Sequence, residues 1–145
     1  MSKGNSWEND LLLLLFNNTN AANIGDATGL RGSSTAGSLY VSLHTADPGE
    51  AGDQTTSEAT YTSYARVAVA RTSGGWTVTG NSVSPASAIT FPAGTGGSGT
   101  VTHFGVGTAS SGAGKLLYSG TVSPNIVTGS GITPQLTTAS AIQED

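Results

Sequence analysis

The chain has 145 residues, a net charge of −4 and only 10% charged residues. The absence of cysteine excludes disulfides and thiolate metal sites, and five scattered Lys and Arg argue against a phosphate-binding, nucleic-acid surface. Gly, Ser and Thr supply 61 residues, whereas Leu, Ile, Val and Phe supply 28. Since so few bulky side chains make a small core for one domain, we expect stability to come partly from neighbouring subunits.

The first element is a predicted helix over residues 7–16, which contains five consecutive leucines. Ser6 is its expected N-cap, and Asn17 with Asn18 ends the run. Because the leucines cover every side of a helix, we expect burial on several sides, within the domain or against a partner. The apolar run spans six residues, against about 20 for a membrane helix. We therefore expect neither a membrane span nor a signal peptide.

Residues 17–37 form a predicted Gly-rich loop, after which apolar residues alternate with polar ones, as in strands. The Gly74-Gly75 turn predicts a hairpin that leads into residues 76–79. The pattern indicates an all-β fold, an antiparallel β-sandwich or a jelly-roll-like barrel, with a short N-terminal helix. We divide it into a helix and arm, 1–37, and a β-sandwich, 38–145. The predicted strands lie within 39–44, 65–70, 76–79, 89–91, 100–108, 115–122 and 132–142.

Residues with catalytic potential are few. Residues 94–99 match G-x-G-x-x-G, but a strand follows where a dinucleotide site needs a helix, so a hairpin loop is expected. The alternative of a hydrolase that uses His44 or His103 is disfavoured, because the sequence lacks the G-x-S-x-G turn that presents a nucleophile. We therefore predict no catalytic residues and no cofactor, and interpret both histidines as structural.

Two binding sites stay open from the residues alone. Asp47, Glu50 and Asp53 share one Gly/Pro loop, and hard cations prefer several such oxygens, although the spacing matches no EF-hand. Trp76 and the tyrosines could stack on sugars, as in a carbohydrate-binding β-sandwich module, but core or interface positions are the favoured interpretation.

Charge is divided unevenly along the chain. Residues 1–58 carry a net −5, whereas residues 59–143 carry three bases and no acid. These two parts could complement each other between copies, or the sparse charges could serve only solubility. The predicted interface residues are the apolar side chains of the helix and the three later bases: Trp7, Leu11, Leu12, Leu14, Leu15, Phe16, Arg66, Arg71 and Lys115.

Three stretches resemble a family of small tailed-bacteriophage virion proteins, often labelled tail-fibre-like. They are residues 39–49 (LYVSLHTADPG), 64–67 (YARV) and 99–106 (GTVTHFGV). The resemblance implies a short apolar helix followed by a β-sandwich, a role as head decoration or tail component, and no catalytic residues. Similar chains often have an aromatic residue where this chain has Ser98.

We therefore expect a non-enzymatic structural protein of a phage virion, most simply a capsid decoration (cement) protein that stabilises the head. A tail or tail-fibre component is the alternative within this class. The expected partners are the major capsid protein or other virion proteins and further copies in a homo-oligomer, with no nucleic acid and no membrane. The expected location is the virion, after assembly in the host cytoplasm.

Overall fold

The computed structural model describes residues 2–25, 29–30 and 32–144. Two charged residues of the predicted charge division, Asp26 and Arg31, lie outside the described residues, as does Asp145. The elements in chain order are α1 (Asn5–Asn17), β1 (Ser38–His44), β2 (Val67–Ala70), β3 (Trp76–Thr79), β4 (Ser82–Pro85), β5 (Ile89–Thr90), β6 (Ser98–Gly107), β7 (Leu116–Gly129), β8 (Gln135–Leu136) and β9 (Ile142–Gln143).

The strands form three sheets in the described part of the chain. Their strand orders are β2-β1-β6-β7, β3-β4-β9 and β5-β8. The pairs with assigned registers are all antiparallel. The predicted fold class is therefore confirmed: the fold is all-β, with one N-terminal helix and antiparallel sheets. It is the sandwich rather than the barrel, because the described strands do not close into a barrel.

The chain divides into two compact units. The first consists of residues up to Ser38, Val69–Ala88 and the end from Thr137. The second consists of Leu39–Ala68 and Ile89–Leu136. The boundary predicted between residues 37 and 38 remains a prediction.

In the first unit, α1 packs on the hairpin of β3 and β4. Leu12 and Phe16 are fully buried, and the Phe16 ring meets the buried Trp76 ring edge to face, with centroids 4.9 Å apart. This geometry is a favoured aromatic arrangement. The helix ends as predicted: Asn18 adopts the left-handed conformation, with φ 56°, and donates its backbone N–H to the Leu13 carbonyl.

The predicted start of the helix was wrong. Ser6 lies inside α1, and the N-cap is Gly4, which has no side chain for a capping hydrogen bond. The Gly4 carbonyl accepts from the backbone N–H groups of Trp7, at 2.8 Å, and Glu8, at 3.1 Å. The helix therefore begins two residues earlier than predicted.

The predicted hairpin was also wrong. β3 pairs with β4, a strand that the sequence analysis missed, whereas β2 belongs to another sheet. Thr79 and Ser82 lie opposite each other, so the loop has two residues, Gly80 and Asn81. Gly80 has φ 59°, and such two-residue loops favour residues that tolerate positive φ.

In the second unit, β6 lies between β1 and β7, and its apolar side chains Val101, Phe104 and Val106 are buried. Gln54 is fully buried against the end of this sheet. Its amide donates to the Tyr40 carbonyl, at 3.1 Å, and accepts from the Ala109 N–H, at 2.9 Å. A side chain at Gly107 would collide with Gln54. The glycine therefore makes room for a buried amide that links two segments.

β7 is much longer than the predicted strand at 115–122 and ends at Gly129. Its pairing with β6 is interrupted: Val101 faces Ile126, whereas His103 faces Thr121. The β7 segment between those partners is longer than the β6 segment, so it bulges around Pro124. The predicted strand at 132–142 is reduced to the short β8 and β9.

Candidate functional site

β7 is the longest strand of the second unit among the described residues, and it lies at the end of its sheet. β7 is last in its sheet and pairs with β6 on one side. We call the other side, where no described strand is paired, the outer edge. No Lys, Arg, Asp or Glu occurs in Leu116–Gly129, although such charges commonly protect edge strands. The large apolar Val127 is 66% exposed. The other exposed side chains are Ser119, Thr121, Ser123, Pro124 and Asn125.

A cleft of about 370 Å³ lies at the start of β7. One wall is the segment from Leu116 to Ser119, and the other is a loop that includes Asp47 and Glu50. The pairing of β7 with β6 shifts register at this point: Leu116 faces Gly107 and Tyr118 faces Val106, so Leu117 is an extra residue on β7. We call this cleft the β7 cleft.

Lys115, a predicted interface residue, immediately precedes β7 and is exposed. Its backbone N–H donates to the Thr108 hydroxyl, at 3.2 Å. The next residue, Leu116, lines the β7 cleft, whose loop carries two carboxylates. The part of Lys115 in an interface stays a prediction.

The predicted interface residues of α1 fall into two groups. Leu12 and Phe16 are fully buried in the first unit, so they belong to the core. The others are only partly covered, and they form the partly accessible apolar side of the helix: Trp7, Leu11, Leu14 and Leu15. Contact with another protein is an untested prediction for these residues.

Arg71, predicted as an interface base, binds the carboxyl-terminal end of α1. Its guanidinium donates to the carbonyls of Leu15, at 2.6 Å, and Leu14, at 2.8 Å, and also to the Ala36 carbonyl, at 3.2 Å. The last carbonyls of a helix lack partners within the helix and carry partial negative charge. Arg71 therefore stabilises α1 and joins it to the segment before β1.

Arg66, also predicted as an interface base, is paired inside the second unit. Its guanidinium binds both carboxylate oxygens of Glu58, at 2.6 and 2.8 Å. It also donates to the carbonyls of Ala109 and Gly112, at 3.0 and 2.8 Å. The bond to Glu58 raises the pKa of Arg66, and the Tyr64 hydroxyl donates to the same carboxylate, at 2.9 Å. This cluster fixes the loop that precedes β7.

Ser42 and His44 form a buried pair on β1. The Nδ1 atom of His44 lies 2.8 Å from the Thr56 carbonyl, and Nε2 lies 2.8 Å from the Ser42 hydroxyl. Since a carbonyl only accepts, Nδ1 carries the proton and Nε2 accepts from Ser42. The arrangement resembles a nucleophile and its base, but both side chains are fully buried, so a substrate cannot reach them.

Burial lowers the pKa of His44 below its ordinary 6.5. The unfolded chain then binds more protons between the two pKa values, so stability should fall as pH drops below about 6.5. The free energy of unfolding in urea, measured between about pH 5 and 8, tests this pH dependence. His44→Gln should flatten the dependence of stability on pH, whereas His103→Gln should leave that dependence unchanged. An unchanged profile in His44→Gln would contradict the assignment.

The other candidate residues have structural surroundings. His103 is half-buried on β6, and its Nδ1 lies 2.8 Å from the Thr102 hydroxyl. The Trp76 and Tyr61 side chains are buried, so they are not exposed for stacking on a sugar.

The acidic loop accepts hydrogen bonds from its own neighbours. Asp47 accepts from the Gly49 N–H, at 2.9 Å, and Asp53 from the Thr55 N–H, at 2.7 Å. The bonds from Thr55 lower the pKa of Asp53. Among the described residues, no group of three or more His, Cys, Asp or Glu is placed to hold a metal ion. No helix in this part of the chain is long and apolar enough to cross a membrane.

The candidate surfaces are described separately: the second unit carries the uncharged β7 with its cleft, and the first unit carries the partly covered apolar side of α1. Both belong to small antiparallel β units. Residues 3–140 match the family described as "Podophage GP4 fiber I protein gp80". The chain belongs to this family, and the resemblance to small tailed-phage virion proteins is confirmed. The protein is thus a phage virion structural protein. No protein in the curated set matches the chain.

Proposed function

We propose that this chain is a non-enzymatic structural subunit of a fibre on a podophage particle, assembled in the host cytoplasm. The observation that carries the proposal is the family match over residues 3–140, because the family is described by a fibre protein. The expected partners are further copies of the chain and other virion proteins. The outer edge of β7 and the partly covered leucines of α1 are the surfaces proposed for these contacts.

Capsid decoration is the second candidate. It is favoured by the small number of large apolar residues and by the partly covered side of α1, which suit a subunit stabilised by attachment to a lattice. In that case the partner is the major capsid protein. Repeated weak contacts over many copies would supply the attachment.

Cryo-electron microscopy of purified particles separates the two candidates. Particles with and without the chain are compared, and the difference density is located. Density confined to fibres, with a low ratio of this chain to the major capsid protein, is expected for the fibre subunit. Density repeated over the capsid lattice would identify a decoration protein, and particles that never contain the chain would contradict both.

A structural role without catalysis is supported by the inaccessible Ser42 and His44 pair. A glycan-binding role is disfavoured by the burial of Trp76 and Tyr61. Hydrolysis by purified particles that disappears in His44→Gln particles would contradict the structural role.

A further inference from the structure

The turn at residues 55–57 lies over the buried imidazole of His44, and we call it the His44 turn. The Thr56 carbonyl accepts from Nδ1 of His44, at 2.8 Å. The Ser57 carbonyl accepts from the Thr45 backbone N–H, at 2.8 Å, and from the Thr45 hydroxyl, at 3.2 Å. Ser57 is exposed, whereas His44 is fully buried. The His44 turn therefore lies between the imidazole and solvent.

The inner side of the imidazole is closely packed. Nε2 of His44 accepts from the Ser42 hydroxyl, at 2.8 Å. A Cβ atom at Gly105 would lie 2.7 Å from Nε2 and 2.8 Å from the Ser42 oxygen, so the backbone of β6 packs directly on the pair. A proton added to Nε2 removes the acceptor of the Ser42 hydroxyl and leaves a positive charge in a buried site. The site therefore fits the neutral ring and not the imidazolium.

Three ionisable groups of the described chain act on His44. Glu58 attracts a positive charge there, but its carboxylate already binds Arg66, at 2.6 and 2.8 Å. His103 is the partner of His44 in the pairing of β1 with β6, so a charge on His103 opposes a charge on His44. Burial outweighs the attraction by Glu58, and the pKa of His44 is lowered.

We propose that Ser42, His44 and the His44 turn form an acid-sensitive latch, in which protonation of His44 opens the turn while the surrounding sheet stays paired. In the open form the imidazole reaches water and binds a proton as an ordinary histidine does. The open form then binds more protons than the closed form below about pH 6.5, so acid favours opening. Ser57 has φ 55°, an uncommon conformation for a residue other than glycine. Opening also relieves this backbone strain.

The latch holds one end of the loop that borders the β7 cleft. Thr45 follows β1 directly, and Asp47 and Glu50 line the cleft further along the same loop. The bonds from Thr45 to Ser57 are lost when the turn opens, whereas the buried Gln54 keeps its own hydrogen bonds at the far end. Acid should therefore release the first part of this wall, and a contact made at the β7 cleft becomes sensitive to pH.

Hydrogen exchange of single backbone amides in the full chain, followed by NMR at about pH 5 and about pH 7.5, tests the latch. The Thr45 amide reports the turn because it donates to Ser57. With an ordinary pKa of 6.5 for His44 in the open form, the open population should rise at least about tenfold at the lower pH. The protection factor of Thr45, corrected for the intrinsic exchange rate, should fall by the same factor.

Low concentrations of urea separate the opening of the turn from global unfolding. An opening that exposes little surface depends only weakly on urea, whereas global unfolding depends on it strongly. Exchange at Thr45 should therefore be nearly independent of urea at both pH values. The amides that pair β1 with β6 should exchange faster as urea is added.

Two variants identify the group that titrates. His44→Gln removes the imidazole and keeps an amide donor for the Thr56 carbonyl, so the Thr45 protection factor should be equal at both pH values. His103→Gln is the matched control and should keep the response of the unmodified chain. If His44→Gln does not fold, the unmodified chain decides alone.

The measurement uses the free chain, so its result does not depend on the proposed fibre role. A pH-dependent, urea-insensitive exchange at Thr45 that disappears in His44→Gln supports the latch. Protection at Thr45 that is equal at both pH values overturns it. So does exchange at Thr45 with the urea dependence of the β1 and β6 amides, or a pH response that persists in His44→Gln.

Discussion

Replacement of Arg66 by methionine is expected to lower the free energy of unfolding by about 3–5 kcal/mol, because it leaves Glu58 as an unpaired, largely buried charge. Only 2% of the Arg66 side chain and 18% of the Glu58 side chain are exposed. The substitution also removes the donors to Ala109 and Gly112. All four tyrosines lie in the second unit, so near-ultraviolet tyrosine dichroism during urea unfolding measures the loss there.

A double variant separates the unpaired charge from the lost packing. Adding Glu58→Gln to Arg66→Met removes the charge while keeping an acceptor for the Tyr64 hydroxyl, so part of the stability should return. Lys115→Ala is the matched control on an exposed base and should change stability by less than about 0.5 kcal/mol. A loss below about 1 kcal/mol in Arg66→Met would mean that the pair contributes no more than a surface ion pair.

Most of the fold prediction came from local sequence patterns. The leucine run predicted α1 and the end of the helix at Asn17, because helix propensity and an αL cap residue are local properties. The alternation through β1 and the Thr-Val-Thr-His-Phe stretch of β6 predicted strands for the same reason. The pairing of β3 was missed, although the Gly80-Asn81 loop is a known two-residue hairpin signal.

The roles of the predicted site residues depended on tertiary contacts that no local pattern contains. Arg66 and Arg71 were predicted to be interface residues, yet both bind carbonyl groups distant in sequence. Glu58 precedes Arg66 by eight residues, so no helical or strand spacing predicts their bidentate pair. The position of β7 at the end of its sheet was also missed, because strand order is not local; the uncharged run after Lys115 was the available signal.

Leu12→Ala is expected to destabilise the first unit by about 2–5 kcal/mol, the range for a leucine truncated in a packed core. Leu12 is fully buried where α1 packs on β3 and β4, beside the contact of Phe16 with Trp76. Both tryptophans, Trp7 and Trp76, lie in the first unit. Tryptophan fluorescence during urea unfolding therefore measures this loss directly.

Leu14→Ala is the matched control, because it makes the same chemical change on the partly covered side of the same helix. Its loss of stability should be smaller, since less apolar surface is removed from the core. If the partly covered leucines contact another virion protein, Leu14→Ala should reduce incorporation into particles while the free chain stays folded. Equal stability losses in the two variants would contradict the division of α1 into a core side and a contact side. Normal incorporation of Leu14→Ala would remove this leucine from the contact.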